Sequence, residues 1–198
     1  MSARQLTRHD ILATDDYLAV RDERRAQVRA RKVDRCVSVG PFATFYFENF
    51  ETMWLQVQEM LYIEKGGEAQ IEEELAAYGS LVPDGHELVA TLMFEIDDEE
   101  RRTRELSKLG SVEQAIAFKL GDETIAATPT DDIERTNASG KTSSVHFLRF
   151  VFTPAQIIAF RDPQTEPLLA IGHPAYPHMT ALSGPACAAL AADFDTQP

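Results

Sequence analysis

Cysteine is nearly absent. Cys36 and Cys187 are the only two in 198 residues, far apart and outside any C-x-x-C. That excludes a cysteine zinc site and a disulfide framework. Cys36 sits in an apolar run, where inert burial is the expectation rather than a Cys–His nucleophile. No apolar run reaches about 18 residues, so no membrane-spanning helix is expected. The opening MSARQLTRHDILATDD lacks the apolar core of a signal peptide, which makes the cytoplasm the expected location. The sequon Asn137-Ala138-Ser139 carries no meaning without an export signal. Basic residues are the minority, 19 against 32 acidic, and the net charge of −13 argues against a nucleic-acid surface over the whole molecule. There is no H-E-x-x-H, no H-x-H and no internal repeat.

What is present suits a folded core: 44% apolar and 9% aromatic residues in a length that fits one domain. Residues 1–34 read as an N-terminal helical region and 35–198 as an α+β core. Charge is segregated. Residues 21–35 carry net +4, leaving −17 on the rest. Arg21, Arg25, Arg29 and Lys32 fall on one face of a helix. The expectation is a basic helix, 15–34, lying against its own acidic domain or a partner subunit; nucleic-acid or anion docking by this stripe is the rival reading.

Local signals place the elements. "CVSVG" and "FATFYFEN" are strands divided by Gly40-Pro41. Residues 51–64 form an amphipathic helix broken at Gly66-Gly67, and an acidic helix ends at Gly79. "LVATLMFEI" is a strand, followed by a charged helix stopped by Gly110 and a hairpin about Gly121-Asp122. "SVHFLRFVF" is the most β-like run. Thr153-Pro154-Ala155-Gln156 opens a helix over 154–161 with cap, proline and capping-box glutamine. A last strand near 168–172, a proline-rich crossing at "HPAYPHM" and a helix from about 185 complete the chain. The expected fold is α+β, a mostly antiparallel or mixed sheet with N-terminal, central and C-terminal helices on one face or edge.

Several polar groups stand in apolar surroundings. On the helix over 51–64, Met53, Trp54, Val57, Met60, Leu61 and Ile63 fill one arc with Glu64 near its centre. Gln56 lies at the arc's margin; Gln58, Glu59, Tyr62 and Lys65 lie mainly outside it. Three accounts of Glu64 stand: a helix-end residue reaching water, a buried partner of an arginine such as Arg149, or an acid or metal ligand in a cleft. A strand through 52–58 is a further alternative, which would rotate these faces. On "SVHFLRFVF", His146 shares a face with Leu148, Phe150 and Phe152, and Arg149 shares the other with Val145, Phe147 and Val151. Glu95 aligns with Val89, Thr91 and Met93. The catalytic candidates are Glu59, Glu64, His146 and Arg149; the metal candidates are His146, His173, Glu64 and Glu95. A structural arginine–carboxylate network is favoured over catalysis. "ASGKTS" is not a phosphate loop, because Arg135 occupies the required first glycine and a strand follows instead of a helix.

"LQVQEMLYIE" resembles the Q-x-Q-E-M-x-x-x-E core of the bacterial family called domain of unknown function 3501. "LVPDG" at 81–85, "TSSVHFLRFVFTP" at 142–154 and "GHPAYP" at 172–177 agree in order, as does the opening "LTRHDILATDDYLAVRDERRAQV". Tyr62 stands where the family pattern commonly has arginine. The resemblance marks Gln56, Gln58, Glu59, Met60, Glu64, Pro83, Asp84, Gly85, His146, Arg149, His173 and Tyr176. It implies, through gene neighbourhood with rubrerythrin-like and iron–sulfur oxidoreductase proteins, an accessory role in peroxide or redox defence. The leading expectation is an accessory or interaction protein, a homodimer docking through helix 15–34 or the acidic helix 68–78. The alternative is a metal-dependent or acid–base enzyme built on a Glu/His/Arg cluster. No cofactor is implied beyond a divalent metal in that alternative, and neither membrane nor nucleic acid is an expected partner.

Overall fold

The computed structural model describes residues 5–130, 136–137 and 140–195. Arg135 and the Ala138-Ser139 pair, shared by the sequon and "ASGKTS", lie outside them. Among the described residues, eight antiparallel strands form one sheet in the order β1-β2-β3-β6-β5-β4-β7-β8. These are β1 (Cys36–Val39), β2 (Ala43–Glu48), β3 (Glu87–Phe94), β4 (Ile116–Leu120), β5 (Glu123–Pro129), β6 (Val145–Val151), β7 (Leu168–His173) and β8 (Tyr176–Ala181). The helices are α1 (Thr14–Lys32), α2 (Phe50–Glu64), α3 (Gly67–Tyr78), α4 (Glu99–Leu106), α5 (Pro154–Arg161) and α6 (Gly184–Ala191). The α+β class and the antiparallel sheet follow the sequence patterns. No helix among the described residues is long and apolar enough to cross a membrane.

The sheet curls until its two edges meet, so it is nearly a barrel. Thr180 on β8 donates to the Ser38 carbonyl on β1 at 2.9 Å. The Tyr176 hydroxyl donates to Val39 O at 2.8 Å and accepts from the amides of Phe42 and Ala43. Closure removes most of the exposed edge that an open sheet would leave. The β1–β2 turn passes under Tyr176 with no room to spare. Gly40 has φ +72°, and a Cβ there would lie 2.6 Å from the Tyr176 hydroxyl.

The sequence reads "HPAYPHM" as a crossing, but the structure makes it the β7–β8 hairpin, with His173 opposite Tyr176. Proline masked the strand; Pro177 is tolerated because β8 ends the hydrogen-bonded order. α4 stops at Leu106, before Gly110, where the Ser107 hydroxyl turns back onto the Thr103 carbonyl. α5 has the cap its sequence specifies, with Thr153 and Gln156 exchanging side-chain bonds to backbone amides.

The inward face of the sheet gathers Phe45, Phe47, Phe118 and Phe150, onto which Phe160 of α5 and Leu190 of α6 pack. A second apolar layer lies outside the sheet, where Val89 of β3 meets Met53 and Val57 of α2 and Ile71 of α3. The helices therefore divide between the two faces. Arg35 ties the C-terminal helix to the sheet. Almost fully buried, it donates to the Phe47, Glu48 and Ala189 carbonyls and holds Asp193 at 2.5 and 3.1 Å. A buried guanidinium needs all its donors occupied, and this one has them.

Candidate functional site

Glu64 stands where α2 ends. The helix stops at Glu64, and Lys65 caps it in the left-handed conformation, φ 55° and ψ 35°. Glu64 is exposed, and its carboxylate accepts from the Gln70 amide at 2.8 Å. Gln70 also accepts from Gly66 N and donates to Glu74, which joins the end of α2 to the start of α3. Ile63 is exposed too. The apolar arc therefore runs out one turn earlier than periodicity alone implies.

Glu64, Glu95, His146 and Arg149, the polar groups read above as standing among apolar neighbours, each have a different partner. Arg149 holds the buried Glu87 carboxylate at 2.5 and 2.6 Å and donates to Ser80 O. An arginine–carboxylate pair was expected; the acid is Glu87, neither Glu64 nor Glu95. Glu95 is exposed and accepts from the Tyr46 hydroxyl at 2.8 Å, an interaction that pushes the phenol up to about 12. His146 faces the core, edge-on to Phe94, with Nδ1 3.9 Å from Glu113. Its Nε2 lies 3.0 Å from Ser143 O, which can only accept, so that nitrogen carries a proton.

Other family-pattern residues do structural work. His173 Nδ1 accepts from Ala175 N in the β7–β8 turn, and the Asp84 carboxylate accepts from His86 N. Tyr176 closes the barrel as described. Gln56 is half-buried on α2. Among the described residues, no group of three or more His, Cys, Asp or Glu side chains is placed to hold a metal. Cys36, expected buried, is exposed on β1. Partial burial and the Glu95 carboxylate nevertheless push its thiol up, away from the reactive range.

One polar cluster does border open space. Glu59 of α2 receives Arg21 at 2.7 and 2.8 Å and the Tyr17 hydroxyl at 2.5 Å, with Arg25 at 3.7 Å. Arg21 and Arg25 of the basic stripe are thus taken up by an acid of the same chain. Arg21 holds the Glu59 carboxyl below its usual range, while burial and Glu59 push the Tyr17 phenol well above its own. Arg21 also stacks on Tyr62, 4.6 Å from the ring centre.

Beside this cluster a cleft of about 930 Å³ opens between the chain leading into α1, the end of α2 and the start of α3. Gln58 forms part of its wall. Periodicity puts Gln58 outside the apolar arc, yet it is only 2% exposed, because α1 and the segment before it cover this side of α2. Its Nε2 is buried and has no hydrogen-bond partner among the described residues. An orphaned buried amide costs about 1–3 kcal/mol. Two other clefts, about 470 Å³ between α5 and α6 and about 370 Å³ beside Trp54, have no such group on their walls. Tyr17 and Glu87 escape the sequence reading, which places Lys65 only outside the apolar arc. Tyr17 alone left a local signal, four residues before Arg21 on the same helical face.

The chain matches the family described as "Protein of unknown function (DUF3501)" over residues 5–194. It is also similar to a crystal structure, at 1.90 Å resolution, of a protein of unknown function from Burkholderia pseudomallei K96243. The two share 36% identity at a TM-score of 0.87, over 97% of this chain and 100% of that one. No curated protein matches. The chain belongs to the DUF3501 family.

Proposed function

We propose that this DUF3501 protein is an accessory protein that acts by binding rather than by turnover, with the cleft beside α2 as its ligand site. One observation carries the reading: the Gln58 amide is buried on the wall of an open cleft and lacks a partner within the described chain. Such a group is explained by a ligand that completes it.

Chemistry at the neighbouring acid has less support. Glu59 is held as a carboxylate by two arginines and a phenol, which makes it a poor proton donor and leaves little of it for a metal. Burial raises the Cys187 thiol as well as that of Cys36. The role in redox defence implied by the family resemblance is therefore read as accessory, with no chemical step at this chain's own thiols. Docking through the basic helix is confined to its exposed far end, Arg29 and Lys32, since Arg21 and Arg25 face Glu59 and Arg31 pairs with Glu51. A homodimer remains part of the reading.

A thermal-shift panel of small organic anions on the whole chain and on Leu18→Arg tests the site. Leu18 lines the cleft and is 47% exposed, so arginine there obstructs the cleft without disturbing the core. The expected result is at least one compound that raises the melting temperature of the parent chain and not of the variant. A panel with no shift, or with equal shifts in both chains, overturns the reading. Light scattering on a size-exclusion column at low and high salt checks the dimer; a salt-insensitive monomer removes it.

A further inference from the structure

The chemistry of the ligand can be taken one step further, resting on the cleft reading above. Gln58, Leu61 and Tyr62 stand at positions i, i+3 and i+4 and form one stripe along α2, Lys65 follows as the cap of the helix, and all four line the cleft. At 1.5 Å rise per residue, the Cα atoms of Gln58 and Lys65 lie about 10 Å apart. Between them the wall is carbon and the Tyr62 ring.

Two of these residues are poor choices for the fold alone. A leucine at 58 would fill the space without an orphaned amide. Lys65 has φ 55°, the left-handed region where glycine is at ease and a β-carbon is not. Its ammonium has no carboxylate partner among the described residues, whereas Arg8 of the same cleft is neutralised by Glu68 at 2.9 Å. Residues kept against the interest of stability mark sites where something else is gained. The cleft thus offers an uncompensated cation at its exposed lip, an unsatisfied amide in its buried wall, and apolar surface between them.

We infer that the cleft takes a small amphipathic organic acid: a carboxylate for Lys65, a neutral hydroxyl or carbonyl oxygen for Gln58, and apolar carbons against Leu61 and Tyr62. The order of groups follows from desolvation. A charge is held at the lip, where water still reaches it, and a neutral oxygen meets the buried amide. A peptide helix laid along the groove does not meet this need, because the Gln58 residue is only 2% exposed and its nitrogen is buried, so a slim group entering as the amide turns toward the cleft is what completes it.

Isothermal titration with 8-hydroxyoctanoate, octanoate and 1,8-octanediol, on the parent chain and on Gln58→Leu and Lys65→Gly, tests the inference. The hydroxy acid should bind roughly tenfold more tightly than either comparison compound. Gln58→Leu should abolish the preference over octanoate, and Lys65→Gly the preference over the diol. Both variants should melt at or above the parent temperature, which separates lost binding from lost folding. Binding of all three compounds without these preferences overturns the ligand class and leaves the cleft reading in place. No binding of the hydroxy acid also overturns the class, and the wider anion panel then judges the cleft.

Discussion

Tyr17 and Glu59 stand 42 residues apart in the chain, and the phenol of the first donates a 2.5 Å hydrogen bond to the carboxylate of the second. With Arg21 on the same carboxylate, this contact seats α1 on α2 and so forms one wall of the cleft. The site depends on the seating as much as on the residues that line it.

Replacing Glu59 with glutamine should loosen α1. Arg21 holds the Glu59 carboxyl below the ordinary glutamate value of about 4.3. A depressed carboxyl stabilises the fold above its unfolded pKa, and that contribution is lost as pH falls through the folded value. Glu59→Gln should therefore melt about 2–4 °C lower than the parent at pH 7, with the gap closing as the buffer is taken to strongly acid pH. Melting curves across that range check this, and a gap that stays constant contradicts it.

The Arg149–Glu87 pair should be costly to break from one side. Arg149→Met leaves the Glu87 carboxylate, 2% exposed, without its counter-ion, at a cost of about 3–5 kcal/mol. Burial already pushes Glu87 upward, and Arg149 is the main opposing pull. Without Arg149 the folded carboxyl binds its proton more tightly than the unfolded one does. Stability then rises as pH falls through the raised value. Urea titrations should find the variant less impaired at pH 5 than at pH 8, and Glu87→Gln in the same chain should restore part of the loss.

Barrel closure can be tested at the contact between Gly40 and Tyr176. Tyr176→Phe removes three hydrogen bonds and leaves Val39 O and two amides to find other partners, a loss of about 1–3 kcal/mol. Gly40→Ala meets both the positive φ and a hydroxyl 2.6 Å from the new carbon, and should cost at least as much. Denaturant midpoints measure both, and an alanine variant as stable as the parent would contradict the packing described.

Much was legible in the chain without coordinates. The Thr153–Gln156 cap opened α5, Gly40 and Gly121 set hairpin turns, and alternation on β6 put His146 and Arg149 on opposite faces. These signals are local: a cap or a pleat is decided within a turn or two of backbone, so neighbouring residues suffice to specify it. The tertiary structure alone decided the partners. Glu87 lies 62 residues from Arg149, Tyr176 lies 134 from Phe42, and Gln58 was buried by a helix that its own periodicity could not register. Sheet order and helix docking bring such groups together, and those arise from the summed burial of the whole chain rather than from any short stretch of it.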